Sequence, residues 1–327
     1  RDLSGGSMSH SNKKHSFIIT YMQWGNREGE IHMSALTVSS EEVKRLKGMG
    51  FLNNKGTDNF SARIVTVNGK VTASQHRLMA DAAEKYGNGM LAYTTRLSVE
   101  VQGIPYEKIE EFQKFIAQEG LVTGGTGPKV RPIVSCKGTT CQYGLLDSYA
   151  LSEKIFHRFY EGYRDMVLPH KFKIAVGGCP NNCVKPNLND VGIIGQRIPI
   201  VDTEKCKGCK KCAIEDACPN KVAKVIDGKI RIATETCRHC GRCIGKCPFH
   251  TIEEGSYGYK IYIGGRWGKN VSRGRALGRI FTSEEEALNV IEKAIIFFRE
   301  NGKKGERFAE TIERIGFESV EKQLLGK

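Results

Sequence analysis

One cysteine pattern occurs twice in the chain, as Cys206-Lys-Gly-Cys209-Lys-Lys-Cys212-Ala-Ile-Glu-Asp-Ala-Cys218-Pro219 and as Cys237-Arg-His-Cys240-Gly-Arg-Cys243-Ile-Gly-Lys-Cys247-Pro248. Three cysteines separated by two residues each, followed by Cys-Pro, form the ligand pattern of iron–sulfur clusters. Around these runs, residues 198–255 are dense in Cys, Lys and Gly and contain few large apolar side chains. Such a segment cannot fold around a hydrophobic core alone. We therefore predict an inserted domain at residues 198–255 that carries two [4Fe–4S] clusters.

The assignment of thiolates to these two clusters follows from the repeat. In two-cluster bacterial ferredoxins, the first three cysteines of a run bind one cluster and the fourth binds the other. This rule predicts two ligand sets: Cys206, Cys209, Cys212 and Cys247; and Cys218, Cys237, Cys240 and Cys243. Five residues separate Cys212 from Cys218 where three are usual, which leaves the partners of the fourth cysteines open. Zinc is the alternative metal, but the repeated three-cysteine run ending in Cys-Pro fits zinc sites poorly.

Four further cysteines lie outside the repeat, as the pairs Cys136/Cys141 and Cys179/Cys183. The chain has 12 cysteines in total, and none remains after three groups of four are formed. The count therefore supports a third four-thiolate cluster. In a chain of this length, Cys-x-x-Cys runs favour metal ligation over disulfides, so a reducing cytoplasm is the expected compartment.

Length and charge restrict the class of protein further. The 327 residues suggest about two domains. No apolar run approaches the ~20 residues that cross a bilayer, so we expect no membrane association. Residues 1–7 resemble a cloning remnant, and no secretory segment follows them. The net charge is +14, but the basic residues form no Lys/Arg block and anionic cofactors would balance them, so we expect no nucleic-acid partner.

Apolar periodicity predicts an α+β chain. Alternation predicts strands at residues 15–22, 90–104, 172–176, 191–194 and 257–263. Helical spacing predicts helices at residues 39–50, 74–86 and 283–300, and another after Pro105 with Ile109, Phe112 and Ile116 on its apolar face. We expect an N-terminal α+β subdomain at residues 8–122 and a second domain at residues 123–197 and 256–327, which the cysteine-rich insert interrupts.

The segment around the second cysteine pair resembles a known signature. Gly178-Cys179-Pro-Asn-Asn-Cys183, continued by Asp190-Val-Gly-Ile193, is similar to the signature of the siroheme-dependent sulfite and nitrite reductases. The resemblance implies that Cys136, Cys141, Cys179 and Cys183 hold a [4Fe–4S] cluster, and that the Cys183 thiolate bridges to siroheme iron. Gly177 departs from the signature, which usually has Ser, Thr or Val there. The implied fold is one half of such a reductase, with a ferredoxin-like α+β subdomain and an α/β siroheme domain.

Basic residues extend the resemblance. Arg63, Arg131, Lys171 and Lys173 match the anion-binding set of that family, and Arg96 matches a position that grips siroheme carboxylates. The run Gly264-Gly265-Arg266-Trp267-Gly268-Lys269 resembles its glycine-rich siroheme loop, in which missing side chains let backbone N–H groups approach acid groups. Independently, Lys171 and Lys173 are two residues apart, so on a strand both ammonium groups project from one face and repel each other unless an anion lies between them.

The resemblance implies a six-electron reduction of sulfite to sulfide, with electrons delivered through the ferredoxin insert and oxygens held by the basic set. Among family members, the insert and the length resemble one component of the anaerobic, NADH-dependent sulfite reductases, in which partner subunits carry flavin and further iron–sulfur clusters. No G-x-G-x-x-G follows a strand, so a nicotinamide cofactor must bind elsewhere. Because larger members contain two copies of this half, we expect a homodimer or higher oligomer, with Lys171 and Lys173 acting within the chain or across the interface.

Two alternatives stay open at the level of sequence. Nitrite is a second possible substrate, because the anion-binding residues do not distinguish it from sulfite. A non-catalytic electron-transfer subunit is the alternative from another class, although an intact set of four basic residues argues against an inert site.

Overall fold

The computed structural model describes residues 38–326. The predicted strand at residues 15–22 and the segment 1–7 lie outside this range. The strands in chain order are β1 (Phe51–Asn53), β2 (Asn59–Ile64), β3 (Leu91–Tyr93), β4 (Val99–Pro105), β5 (Val134–Ser135), β6 (Ile174–Gly177), β7 (Val191–Pro199), β8 (Ala223–Ile226), β9 (Lys229–Ile232), β10 (Gly255–Ile263) and β11 (Arg275–Phe281). The helices are α1 (Ser40–Gly48), α2 (Ala73–Tyr86), α3 (Ile109–Ile116), α4 (Ser148–Ile155), α5 (Ala213–Ala217), α6 (Glu284–Asn301), α7 (Phe308–Ile315) and α8 (Phe317–Leu325). The predicted α+β class is confirmed.

The first sheet is antiparallel, with strand order β1-β2-β4-β3, and the helices α1, α2 and α3 share its core. The Thr72 hydroxyl accepts a hydrogen bond from the Gln75 N–H and thereby starts α2. In α3 the expected residues Ile109, Phe112 and Ile116 are all buried. The predicted helices in this part of the chain therefore form at the expected places.

The single long strand predicted at residues 90–104 is wrong, because the chain turns back on itself and forms β3 and β4. The turn is closed by hydrogen bonds from Thr94 N–H to Ser98 O and from Leu97 N–H to Thr94 O, both backbone to backbone. Leu97 takes a left-handed conformation, with φ of 58°, that a leucine rarely adopts. The alternating pattern continues across this tight turn, so periodicity alone does not show it.

The second sheet is mixed, with strand order β11-β10-β7-β6-β5. The strands β5, β6 and β7 run parallel, whereas β10 is antiparallel to both β7 and β11. The helices α4, α6, α7 and α8 share its core, and Leu288, Ile291, Ile295 and Phe298 of α6 are buried as the sequence predicts. The parallel strands β5 and β6 end side by side, and a cysteine pair follows each of them.

The segment between β7 and β10 has a small apolar cluster of its own. Its ends meet where Gly255 pairs with Pro199 in the antiparallel β7–β10 ladder. Inside the segment lie α5 and the hairpin β8–β9, around an apolar cluster of only Ile214, Ala223, Ile230 and Ile252. Five cysteines pack against this cluster: Cys206, Cys212, Cys218, Cys243 and Cys247. Within residues 38–326, no helix combines the length and apolar character needed to span a membrane.

Candidate functional site

The first cysteine group assembles at the ends of parallel strands. Cys136 directly follows β5, and Cys179 lies two residues after β6, so the β5–β6 pairing places both in one region. The Gly178 N–H donates to the Cys136 sulfur at 3.1 Å. Burial raises the pKa of the Cys179 thiol, and the neighbouring thiols of Cys136, Cys183 and Cys141 raise it further. The other three cysteines of this group thus lie close enough to Cys179 to act on it electrostatically.

The backbone around this group is packed too closely for a side chain at Gly178. A Cβ atom there would lie 2.7 Å from Gly138 Cα and 3.4 Å from the Cys136 sulfur. Because the nearer of these atoms belongs to the backbone, it cannot swing aside as a flexible side chain would. The glycine before Cys179 therefore has a packing role that its position in the motif alone does not reveal.

A second group of four thiols faces one cavity of the insert. Cys218, Cys237, Cys240 and Cys243 all line it, together with apolar residues such as Pro199 and Ala223. Burial, with a smaller contribution from neighbouring thiols, raises the pKa of Cys243 to about 11. Burial acts in the same direction on Cys218, but backbone N–H groups at residues 220–223 outweigh it and lower that pKa. Backbone N–H groups directed at a cysteine sulfur are the kind of contact that supports cluster thiolates.

The third group also contacts the small apolar cluster of the insert. Cys206, Cys212 and Cys247 pack against the same apolar cluster, and the Ile230 N–H donates to the Cys206 sulfur at 3.2 Å. Cys209 is half-buried in the same loop. Within residues 38–326, no His, Cys, Asp or Glu side chains are grouped as ligands of one metal ion. The thiolates of a [4Fe–4S] cluster bind separate iron atoms and do not converge on a single ion.

The predicted basic residues lie together within one chain. Phe172, between Lys171 and Lys173, is fully buried in the core, so the two lysines project away from it on the opposite face. The Arg131 N–H donates to the Phe172 carbonyl oxygen at 2.8 Å, which aligns Arg131 with this segment. Arg63 adjoins Arg131 and also pairs with Glu100. Within one copy of the chain, these cations therefore already lie close enough to act on one another electrostatically.

Electrostatics show how crowded these cations are. Burial lowers the pKa of Lys173 to about 8, and Arg96, Lys171 and Arg307 lower it in the same direction. Burial and Arg63 together lower the pKa of Arg131 to about 10, which leaves its guanidinium charged at neutral pH. The Arg131 Nε is buried without a hydrogen-bond partner among the described residues. Such a cluster favours an anionic ligand, whose charge offsets the repulsion.

Two residues of this cluster have no role in the sequence prediction. Asp190 is fully buried and accepts hydrogen bonds from Arg307 at 2.9 and 3.0 Å and from the Lys173 N–H at 2.9 Å. Arg307, only 8% exposed, acts electrostatically on Arg131, Lys171 and Lys173. Asp190 lies in the continuation of the cysteine signature, so its place in that signature could have indicated a functional role. Nothing in the local pattern singles out Arg307, because its partner is 117 residues away.

The Arg96 guanidinium donates most of its hydrogen bonds to groups within the chain. Its guanidinium donates to Pro132 O, Ile174 O and Asn189 Oδ1, at distances between 2.7 and 3.1 Å. It therefore joins the β3–β4 turn to the second sheet. Burial lowers the pKa of Arg96 to about 10. Its Nη1 keeps one further N–H beyond these bonds, which is available to a carboxylate.

The glycine-rich segment packs against the loop that follows Cys183. A Cβ atom at Gly265 would lie 2.4 Å from Asn189 O and 2.5 Å from Asn187 O, so only glycine fits. Gly264 has φ of 78°, a conformation that glycine adopts without strain. Arg266 pairs with Glu310, and its Nε is buried without a partner among the described residues. Lys269 is exposed.

Side-chain amides brace the loop that contains Cys183, and one of them also contacts a basic residue. Asn182 donates to Asn187 Oδ1 at 3.0 Å, and Asn189 donates to Lys185 O at 3.1 Å while accepting from Arg96. Cys183 itself is exposed on this loop. The loop thus presents a thiol at the surface while its other end is fixed next to the cation cluster.

The donor groups suit both kinds of group that the sequence resemblance implies. Four thiols, those of Cys218, Cys237, Cys240 and Cys243, line one cavity, and thiolates in sets of four are the ligands of iron–sulfur clusters. Near them, two carboxylates (Glu100 and Asp190) share a region with six basic side chains: Arg63, Arg96, Arg131, Lys171, Lys173 and Arg307. The uncompensated positive charge fits an oxyanion substrate or a macrocycle with several carboxylates.

Two family descriptions match the chain in adjacent regions. Residues 126–327 match the "Nitrite and sulphite reductase 4Fe-4S domain". Residues 53–118 match the "Nitrite/Sulfite reductase ferredoxin-like half domain". The first match includes all the cysteines and Lys171 and Lys173, and the second includes Arg63 and Arg96.

Individual relatives agree with these matches. The chain is 34% identical to the coenzyme F420-dependent sulfite reductase of Methanocaldococcus jannaschii, over 72% of the chain but only 37% of that protein. It is 31% identical to a component of the anaerobic sulfite reductase of Salmonella typhimurium, over 40% of the chain and 42% of that component. The chain thus spans less than half of either protein. A crystal structure of dissimilatory sulfite reductase I shares the fold with a TM-score of 0.65 at 22% identity, covering 82% of this chain and 69% of the other.

Proposed function

The chain belongs to the nitrite and sulphite reductase family, and from that premise we propose that it is the siroheme-binding subunit of a sulfite reductase that reduces sulfite to sulfide. One observation carries the proposal. The half-buried cation cluster lies where β6 and β7 begin, and the loop that joins these two strands contains Cys179 and Cys183. An oxyanion site and a thiolate group are thus built on the same two strands.

Each cysteine group has a proposed cofactor. Cys136, Cys141, Cys179 and Cys183 would hold the [4Fe–4S] cluster coupled to siroheme through Cys183, and the eight insert cysteines would hold two more. Gly264, Gly265, Arg266, Lys269 and Arg96 would surround the siroheme carboxylates. When bound, these groups supply single electrons and an iron atom that binds the sulfur of sulfite.

The basic residues have two proposed tasks. Arg63, Arg131, Lys171 and Lys173 bind the oxygens of sulfite, and each charge-assisted hydrogen bond of this kind contributes about 1.5–3 kcal/mol. Their positive charge also stabilises negative charge that develops on the departing oxygens. Lys173 is the best proton donor of the set, because its pKa of about 8 lies near the working pH.

Partners follow from the same proposal. The insert leaves the second sheet between β7 and β10, and we propose that subunits with flavin and iron–sulfur centres deliver electrons to it. Two copies of the chain would pair as a homodimer, although the four basic residues are already assembled in one copy. Twelve cysteines proposed as cluster ligands suit a reducing cytoplasm.

Anaerobic reconstitution with iron, sulfide and siroheme tests the function. The loaded protein should show siroheme absorption that changes on addition of sulfite, and the reduced protein should release sulfide. Nitrite, assayed in parallel, should give a lower turnover. A protein that binds no tetrapyrrole would instead be an electron-transfer subunit, and preferential turnover of nitrite would assign it to the other branch of the family.

A further inference from the structure

We propose that Asp190 is the positioning residue of the anion site: its carboxylate, held by Arg307, fixes the backbone of Lys173 and places a negative charge beside the Lys173 ammonium group. The inference rests on the function proposed above, in which Lys173 binds the substrate and donates a proton. Asp190 and Lys173 then have separate tasks: the Asp190 carboxylate orients the lysine, and the lysine binds and protonates the substrate.

The backbone of Lys173 is held from both sides by the start of β7. Its N–H donates to Asp190 Oδ2 at 2.9 Å, and its carbonyl oxygen accepts from the Val191 N–H at 3.0 Å. Because Phe172 is buried in the core next to it, the chain here has little freedom to rotate. The direction in which the Lys173 side chain leaves the strand is therefore set by Asp190 and its neighbour.

Asp190 is itself held from the opposite side. Nη2 of Arg307 donates to both carboxylate oxygens, at 2.9 and 3.0 Å. Arg307 directly precedes α7, and its own N–H donates to Glu310 at 2.8 Å. The carboxylate thus cannot turn away from Lys173 without breaking the contact to α7. This arrangement connects the C-terminal helices to the anion site.

The charges around Lys173 are unequal. Arg96, Lys171 and Arg307 disfavour its protonated form, and Asp190 is the carboxylate that favours it. Arg131 and His170 belong to the same cluster, where burial and the surrounding cations lower the pKa of His170. Removal of the Asp190 charge should therefore ease proton loss from Lys173, whereas removal of the Arg307 charge should hinder it.

Loss of the Asp190 charge and loss of the Arg307 charge should shift the pKa of Lys173 in opposite directions, so the two variants can be distinguished from each other. Competitive acylation of the full-length protein at a series of pH values, read by mass spectrometry of the Lys173 peptide, reports the pKa of this lysine without any turnover. We expect Asp190→Asn to lower that pKa, because the favourable negative charge is lost, and Arg307→Gln to raise it, because an unfavourable positive charge is lost. General loosening of the fold would shift both variants the same way, toward the pKa of an exposed lysine.

Glu306→Gln is the matched control, since Glu306 pairs with Arg314 near the same helix and also accepts hydrogen bonds from backbone and side chain. It should leave the Lys173 pKa unchanged. Sulfite binding to the loaded wild type is measured in parallel, by the optical change of the siroheme band. If Lys173 has the same pKa in wild type, Asp190→Asn and Arg307→Gln, the positioning role is overturned. If instead the wild type binds no sulfite but the pKa of Lys173 shifts in the two variants, the proposed function is wrong while the interaction between Asp190 and Lys173 is supported.

Discussion

The Arg197 N–H donates a hydrogen bond to the His239 carbonyl oxygen at 2.7 Å and thereby joins the second sheet to the second cysteine run of the insert. Arg197 lies on β7 and also forms a parallel bridge with Cys240. The loop that contains Cys237 and Cys240 therefore contacts the sheet directly. The Cys206–Cys212 loop instead packs on the β8–β9 turn, since a Cβ atom at Gly208 would lie 2.4 Å from Gly228 O.

This difference predicts unequal effects for two cysteine substitutions. Cys240→Ser should lose the cluster next to the sheet and loosen the ends of β7 and β10, because the apolar core of the insert is too small to hold the loop alone. Cys209→Ser removes a thiol from the other group and should leave these strand ends intact. Hydrogen exchange of peptides covering residues 194–199 and 255–259, measured by mass spectrometry, checks this. Equal exchange in the two variants would contradict the arrangement.

Gly178→Ala should destabilise the first cysteine group. The added methyl group meets Gly138 Cα at 2.7 Å, so the strand ends must move apart. Overpacking of this kind costs about 1–3 kcal/mol in the free energy of unfolding, and the loss should be accompanied by a lower iron content after reconstitution. Gly48→Ala is the control, because a Cβ there meets nothing within 4 Å and the position is helical. Denaturant unfolding of both variants measures the difference; a Gly178→Ala protein as stable as the control would disprove the close contact.

The cysteine pattern shows which features of this protein can be predicted from its sequence. Ligand spacing is local, so the sequence predicts the four-cysteine groups directly, and the assignment of these groups to clusters stays a prediction. In the structure, Cys218, Cys237, Cys240 and Cys243 line one cavity, and Cys136, Cys141 and Cys183 act electrostatically on Cys179. Local alternation also identifies β6, β7 and β10, whereas it predicts no strand at β1, β2, β5, β8, β9 or β11. It does not show the turn at Leu97, because the apolar pattern stays in phase on both sides of that turn.

Arg307 illustrates what cannot be read from the sequence. Its role depends on α7 packing against the start of β7, and no local pattern encodes a contact between residues so far apart. Arg96 illustrates a subtler limit. Its family position suggests a cofactor contact, whereas its hydrogen bonds in the structure go to Pro132, Ile174 and Asn189. The position of a residue in a motif thus does not specify which of its donors remain available.

Lys173→Ala tests the proposed substrate contact. Removal of one charged donor from a preorganised site lowers turnover by about 100-fold or more, while siroheme and clusters should stay bound because Lys173 is not one of their proposed ligands. Lys114→Ala, on the exposed face of α3, is the matched control and should keep full activity. Sulfide release under anaerobic conditions, normalised to the siroheme absorption, is the measurement. Unchanged turnover in Lys173→Ala would remove this lysine from the site.

The pH dependence of kcat/KM tests the protonation state of the same lysine. Its folded-state pKa of about 8 is below the ordinary value of 10.5, so the charged form that binds an anion is present below pH 8 and is lost as the pH rises through that value. Because kcat/KM reports the free enzyme, it should fall on the alkaline side with a midpoint near pH 8. Lys173→Arg keeps its charge in this range, so the fall should move to higher pH even where the turnover is reduced. The ionisation of sulfite is identical for both proteins and cannot produce a difference between them. An unchanged midpoint in Lys173→Arg would show that another group controls the alkaline limb.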